Sequence, residues 1–203
     1  RSADRRYGLE FTWSTWINIS SNELNNDVSD KKCIFNKGGS GDNNGVFDQN
    51  GPGLYLNPPA NVDGYLGQKT KSLELCIIMD IIGGEPEEII IPDIPIEKWI
   101  NIMIRCKNKT IDIYVNGVVV KRHLCTGIPE QNYGQVNYGS TIAGWISNLW
   151  YWPEMLTSTE IRNIVSKGPN TTMITKGNNL DQDPRYFSLR WFFDNYSDVY
   201  GGL

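Results

Sequence analysis

Histidine and alanine are both scarce in this sequence. His123 is the single histidine among 203 residues, which excludes chemistry that needs two or more histidines, such as that of most zinc hydrolases. The chain contains only 3 alanines but 23 isoleucines, together with 7 Trp, 10 Tyr and 6 Phe. Because alanine favours helices while isoleucine and aromatic residues favour strands, the composition predicts a mostly β protein.

Three further absences narrow the function. The net charge is −4, so no diffuse basic field exists that could hold a nucleic acid. The longest apolar run, at residues 76–79, is far shorter than the roughly 20 residues of a membrane helix. A membrane anchor upstream of this chain is still compatible with the sequence. The four cysteines form no CxxC pair, so neither a zinc ribbon nor a thioredoxin-like site is predicted.

Alternating apolar and polar side chains predict the strands. Residues 7–20 read as one long strand, and residues 99–106, 111–115 and 118–124 read as a three-stranded meander. Asn116-Gly117 joins the last two of these strands and is typical of a two-residue hairpin turn, because both central residues of that turn need a positive φ.

The hairpin turn also predicts the register of the meander. It sets Val115 opposite Val118 and, further along, Asp112 opposite Lys121. One face then carries the apolar residues Ile100, Ile102, Ile104, Ile111, Ile113, Val115, Val118 and Val120. The other face carries Asn101, Arg105, Asp112, Lys121 and His123. A sheet with one apolar face must bury it against a second layer, so we expect a sandwich.

The C-terminal third contains a predicted helix and an aromatic arm. Thr157 and Glu160 fit a capping box, and Gly168-Pro169 ends the helix, whose apolar side we expect to pack across an edge of the sandwich. We predict a sandwich domain over residues 1–169 and an arm over residues 170–203. The arm either wraps its own domain or docks on a neighbour, through the anchors Phe187, Trp191, Phe192 and Phe193.

No constellation of residues predicts catalysis. Glycoside hydrolases need two carboxylates facing one cleft, whereas Glu85, Glu87 and Glu88 follow Gly83-Gly84 and are predicted to lie in a turn. Cys125 could share a face with His123, but a plain surface histidine is the favoured interpretation. We therefore expect a protein that is not an enzyme.

Two features suggest ligands. The glycine-rich segment 36–53, predicted to be a long surface loop, offers Asp42, Asn44 and Asp48 as oxygen ligands for calcium, although a plain loop is the favoured interpretation. Residues 145–152 hold several aromatic residues that could stack on sugar rings. Alternation predicts that Trp145, Ser147, Leu149 and Tyr151 share one face, and that Ile146, Asn148, Trp150 and Trp152 share the other.

Three stretches together resemble a known fold family. They are FTWSTWINIS, IPIEKWINIMIRCKNKTIDIYVNGVVVKRH and GWISNLWYWPEMLTSTEIRNIVSKGPN. They resemble the opening strand, the central meander and the closing strand and helix of the laminin-G/pentraxin-type branch of concanavalin A-like jelly rolls. This resemblance covers residues 7–170. It implies an all-β jelly-roll sandwich of two antiparallel sheets with one short C-terminal helix.

A narrower resemblance concerns the context of the protein. The stretches EIIIPDIPIEKWINIMIR, VVKRHLCTGIPEQNYG and EIRNIVSKGPN are similar to lectin-like domain proteins of large nucleocytoplasmic DNA viruses. This resemblance implies a structural protein of the virion, in the capsid or at an inner membrane, that is assembled inside the host cell and contacts other virion proteins. The alternative is a carbohydrate-binding module that attaches a particle to host glycans.

Overall fold

The computed structural model describes residues 8–25, 29–39, 42–43, 45–63, 69–139 and 142–172, and these are mostly strands. The strands are β1 (Glu10–Ile19), β2 (Lys32–Gly38), β3 (Asp42–Asn43), β4 (Val46–Phe47), β5 (Asn50–Leu56), β6 (Ala60–Asp63), β7 (Lys69–Ser72), β8 (Leu75–Met79), β9 (Glu87–Ile91), β10 (Ile100–Lys107), β11 (Thr110–Val115), β12 (Val118–Leu124), β13 (Gln135–Tyr138) and β14 (Gly144–Trp152). A short 3₁₀ helix spans Ser21–Asn25, and one α-helix, α1, spans Ser158–Lys167.

Two five-stranded antiparallel sheets form the sandwich. The first sheet has the order β12-β11-β10-β1-β14, and the second has the order β13-β2-β5-β8-β9. Two small ribbons, β3-β4 and β6-β7, are attached to this frame. The predicted all-β sandwich of two antiparallel sheets with one short helix is therefore confirmed.

The core lies between the sheets and is mainly isoleucine and leucine. Ile77 in the second sheet and Ile113 in the first are both fully buried. Trp13 and Phe35 stack across the two layers with ring centroids 5.4 Å apart. Burying each such aliphatic side chain contributes roughly 1.5–3 kcal/mol, so the alternating isoleucines account for much of the drive to form two layers.

The register of the meander agrees with the prediction only up to a bulge. Val115 pairs with Val118 as predicted, but Val120 is an extra residue, and the pairing shifts between Ile113 and Tyr114. Asp112 consequently pairs with Arg122, so the predicted pairing with Lys121 is wrong. A bulge turns every following side chain to the other face of its strand.

This bulge has two consequences for β12. His123 pairs with Ile111 and lies on the core-facing side, so its predicted position on the polar face is wrong. Val118 and Val120, predicted to be buried, are exposed because β12 is the edge strand of the first sheet. The side chains of these two valines therefore face solvent instead of packing in the core.

Helix α1 begins with the predicted capping box. The Thr157 hydroxyl accepts a hydrogen bond from the Glu160 amide, and the Glu160 carboxylate accepts one from the Thr157 amide. The helix packs on the outer face of the first sheet, where Ile161 joins Met103 and Tyr114 in a buried cluster. The predicted packing across a sandwich edge is therefore wrong, because Met103 and Tyr114 give the outer face an apolar patch that the helix covers.

The sandwich and α1 belong to one compact unit that ends at Asn170. Residues 173–203 of the predicted arm lie outside the described residues, so the predicted domain division stays a prediction. Among the residues that are described, no helix combines the length and the apolar character needed to cross a membrane.

Candidate binding site

Strand β14 carries all three of its tryptophans on one face because a bulge interrupts its alternation. Asn148 has a positive φ of 52°, and the pairing of β14 with β1 shifts beside it. Ile146, before the bulge, and Tyr151, after it, both pack against the core. The prediction that Trp145 shares a face with Tyr151 is therefore wrong, and the three tryptophans lie together on the outer face of the first sheet.

A groove of about 280 Å³ lies between this outer face and α1. We call it the tryptophan groove, and its lining residues are Ser14, Trp16, Asn148, Trp150, Trp152, Ile164, Lys167 and Gly168. The rings of Trp150 and Trp152 have centroids 6.3 Å apart and an interplanar angle of 27°. Because Trp150 is 57% exposed, much of its ring is accessible to a ligand.

Two polar side chains, those of Asn148 and Lys167, line the groove. Within the described part of the chain, neither the Asn148 amide nor the Lys167 ammonium makes a side-chain hydrogen bond or an ion pair. The amide offers donors and an acceptor, and the ammonium offers three donors. A sugar ring has an apolar face and a polar rim, so a flat indole surface beside such groups matches its chemistry.

A second cavity, of about 360 Å³, opens at the lateral edge formed by β13 and β14. We call it the edge pocket, and its lining residues are Phe11, Trp13, Lys37, Gly51, Gln131, Asn132, Val136, Tyr138, Leu149 and Tyr151. Tyr138 is 61% exposed at the mouth of this pocket. The edge pocket therefore offers aromatic surface, as the tryptophan groove does.

The polar groups of the edge pocket already have partners. The Lys37 ammonium donates to Asn132 Oδ1 at 3.0 Å and to the Gly134 carbonyl at 2.5 Å. Asn132 Nδ2 donates back to the Lys37 carbonyl at 2.8 Å, and burial lowers the pKa of the Lys37 ammonium. These bonds hold the loop after Glu130 against β2. A ligand here would have to compete with them, which makes the tryptophan groove the better polar recognition site.

Carboxylates are absent from the described residues that line these two cavities. Glu85 follows the turn, and Glu87 and Glu88 begin β9, so the prediction that these three glutamates lie in a turn is wrong. The turn closes earlier, where the Gly84 amide donates to the Ile81 carbonyl at 3.1 Å, and Glu87 can then pair with Met79.

His123 and Cys125 meet Glu87 at the opposite lateral edge of the sandwich. His123 Nε2 lies 2.5 Å from Glu87 Oε2, which joins β12 to β9. Burial, followed by the charge of Glu87, raises the pKa of the Cys125 thiol to about 11. A thiol with so high a pKa is protonated at neutral pH and is therefore a poor nucleophile.

The predicted calcium ligands are only partly described. Asp42 pairs with Phe47 in the β3-β4 ribbon, which replaces part of the predicted loop, and Asp48 is exposed in the bend that follows. Asn44 and the side chain of Asp42 lie outside the described residues, so calcium binding stays a prediction. The predicted anchors of the arm also lie outside them; they are Phe187, Trp191, Phe192 and Phe193.

Solved structures with a similar fold include receptor-binding domains of botulinum neurotoxins. The domain of botulinum neurotoxin D matches 82% of this chain with a TM-score of 0.58 at 14% identity. The domain of the C/D mosaic serotype matches 78% with a TM-score of 0.57 at 15% identity. This chain therefore shares the β-sandwich, lectin-like jelly-roll fold of these domains.

A further neighbour is the binding domain of botulinum neurotoxin DC in complex with rat synaptotagmin II, which matches 81% of this chain with a TM-score of 0.54 at 16% identity. This chain spans between 36% and 38% of the length of these three solved chains. No protein-family model and no curated protein matches the sequence. At such low identities, the likeness establishes the fold alone.

Sequence reasoning missed the tryptophan groove and the contact of His123 with Glu87 for one reason. Each depends on a bulge, at Asn148 in β14 and at Val120 in β12. An asparagine inside a strand pattern is a weak signal for positive φ, and it could have suggested the first bulge. The valine run of β12 contains no comparable signal.

Proposed function

We propose that this protein is a non-catalytic, carbohydrate-binding module whose binding site is the tryptophan groove. One observation carries the proposal: the Trp150 ring, which stacks on Trp152, is 57% exposed beside the Asn148 amide and the Lys167 ammonium. A sugar ring would stack on Trp150, while its hydroxyls would bond to the amide and the ammonium.

Two observations support a role without catalysis. The described residues that line the tryptophan groove include no carboxylate, whereas glycoside hydrolysis uses a pair of them. The Cys125 thiol, which lies near His123, has a raised pKa instead of the lowered pKa of a nucleophilic cysteine. The solved neighbours add support for binding, since they are receptor-binding domains.

The test is binding of the purified chain to a glycan array, followed by titration of the strongest ligand. We expect Trp150→Ala to weaken binding of that ligand by about 10-fold or more, because a central stacked aromatic ring dominates such interfaces. Trp145→Ala is the matched control: Trp145 is 56% exposed on the same strand and the same face, but it lies outside the groove.

Three outcomes would contradict this proposal. The first is a chain that binds no glycan on the array. The second is an equal loss of affinity in Trp145→Ala and Trp150→Ala, which would indicate a nonspecific surface effect. The third is a loss in Tyr138→Ala with no loss in Trp150→Ala, which would move the glycan site to the edge pocket.

A second candidate function is a structural component of a virion that makes protein–protein contacts. The observation that favours it is the edge strand β12, where Val118, Val119, Val120 and Leu124 are all exposed. An apolar edge strand can add a strand from a neighbouring protein. The virion setting itself rests on the sequence resemblance to proteins of large DNA viruses.

Fractionation of infected cells tests this second candidate. We expect the native protein to copurify with intact particles and to stay with them through washes at high salt, because contacts made by apolar side chains resist salt. Recovery of the protein only in fractions free of particles would contradict a virion role. That result would leave glycan binding by the isolated chain unaffected, so the two functions can be separated.

A further inference from the structure

Three side chains with different metal-binding groups converge at the edge where β9 meets β12. Glu87 belongs to β9 of the second sheet, His123 to β12 of the first sheet, and Cys125 to the loop that follows β12. One ligand atom from each lies within 4.8 Å of the other two. The bulge at Val120 creates this arrangement, because without it the His123 ring would face outward.

From this geometry we propose that Glu87, His123 and Cys125 form a site for a divalent transition-metal ion, with Zn²⁺ as the best fit. Thiolate and imidazole ligands select zinc over calcium and magnesium, which prefer oxygen ligands alone. A tetrahedral zinc ion with these three ligand types holds the ligand atoms about 3.3–3.6 Å apart, so Glu87 Oε2 and His123 Nε2, which lie 2.5 Å apart without the ion, would separate by about 1 Å to bind it. A water molecule would complete the fourth position.

The surroundings orient the carboxylate for this task. Thr126 donates to Glu87 Oε1 twice, from its amide at 2.8 Å and from its hydroxyl at 2.6 Å. Oε2 is thereby directed toward His123, at 2.5 Å from Nε2. A ligand carboxylate that is fixed through its second oxygen is typical of metal sites, where outer partners hold the ligands in place.

The burial of the three groups also suits a metal ion. Cys125 is buried, while the side chains of His123 and Glu87 are 27% and 14% exposed, so an ion can enter from solvent. Binding of zinc would displace the thiol proton of Cys125: the S–H bond would break, the Zn–S bond would form, and the proton would leave to solvent.

Bound zinc would join the two sheets at this edge. Glu87 lies in the second sheet, and His123 and Cys125 extend from the first, so the ion would act as a clip between β9 and β12. An ion that binds only the folded chain raises its thermal stability. This role is independent of the tryptophan groove, which lies on the outer face of the first sheet.

The experiment uses the purified full chain, stripped of metal with a chelator, and ZnCl₂ as the probe. We expect calorimetric titration to give one zinc ion per chain and differential scanning calorimetry to show a rise in Tm. Co²⁺ in place of Zn²⁺ should produce a thiolate-to-cobalt charge-transfer band. Cys125→Ser should abolish that band, and His123→Gln should weaken zinc binding by at least about 10-fold.

Two variants separate a specific site from adventitious binding. Cys76→Ser is the matched control, because Cys76 is equally buried but lies in β8 beside Glu88. It should keep both the cobalt band and the zinc affinity. Thr126→Val, which removes the hydroxyl bond to Glu87 but touches no ligand atom of the ion, should weaken zinc binding by about 10- to 100-fold.

The proposal would be overturned by any of three results. One is the lack of saturable zinc binding to the wild-type chain, and another is unchanged zinc affinity in both Cys125→Ser and His123→Gln. The third is an equal loss in Cys76→Ser. Circular dichroism of each metal-free variant establishes that it is folded, so a loss of binding reports on the site.

Discussion

Asp112 is a buried carboxylate on the outer face of the first sheet, and two arginines hold it. Arg105 Nη2 donates to one of its oxygens at 2.7 Å, and Arg122 Nε donates to the other at 2.6 Å. Burial alone would raise the pKa of Asp112, but the hydrogen bonds from Arg122 and Arg105 outweigh it and lower that pKa. The carboxylate is therefore charged at neutral pH.

We expect Asp112→Asn to lower the free energy of unfolding by about 3 kcal/mol at pH 7. The reason is that the substitution leaves the Arg105 guanidinium, whose side chain is only 13% exposed, without a charged partner. Arg122→Gln is the control and should cost no more than about 1 kcal/mol, because Arg122 is 66% exposed. Urea denaturation monitored by tryptophan fluorescence measures both values.

The difference in unfolding free energy between wild type and Asp112→Asn should depend on pH, and its direction follows from the lowered pKa of Asp112. The pKa of Asp112 is lower in the folded chain than in the unfolded chain, where it is about 3.9. Its contribution is therefore complete above the unfolded value and is lost as the pH falls through the folded value. The gap between wild type and Asp112→Asn should narrow in acid, and an undiminished gap at the acid end would contradict this assignment.

Helix α1 depends on a local signal at its first turn. The Thr157 hydroxyl accepts a hydrogen bond from the Glu160 amide at 3.4 Å, and the Glu160 carboxylate accepts one from the Thr157 amide at 2.7 Å. Leu156 and Ile161, on either side of the cap, are both buried in the cluster that fixes the helix on the sheet. The start of the helix is therefore specified by residues that are close in the chain.

We expect Thr157→Ala to lower the free energy of unfolding by about 1 kcal/mol, since it removes the capping hydroxyl from the helix. Thr157→Ser keeps that hydroxyl and should cost only a few tenths of a kcal/mol. Thermal denaturation followed by circular dichroism compares the two variants. Equal losses would show that the methyl group of the threonine matters more than its hydroxyl.

Bulges are the elements that the sequence did not reveal, and they position both sites. In β14, Asn148 places the tryptophans on the outer face, and in β12, Val120 turns His123 toward Glu87. A bulge shifts the face of every residue after it, while its position depends on how the partner strand pairs. Alternation within one strand contains no information about that partner.

The sandwich as a whole has two lateral edges with different character. At one edge, His123 and Glu87 join β12 to β9, and at the other, the edge pocket opens between β13 and β14. Glu87 and His123 are 36 residues apart in the chain, so their contact exists only after both sheets have formed. The proposed zinc site therefore belongs to the whole molecule, whereas the helix cap belongs to a single element.

The sequence by itself determined the class of fold, the hairpin at Asn116-Gly117 and the start of α1 at Thr157. Each of these depends on a period of two residues or on side chains within four positions of one another, so local physics suffices. Only the tertiary structure decided which face His123 occupies, which tryptophans are exposed and where α1 packs. These depend on pairing between strands and on contacts between layers, which residues far apart in the chain create together.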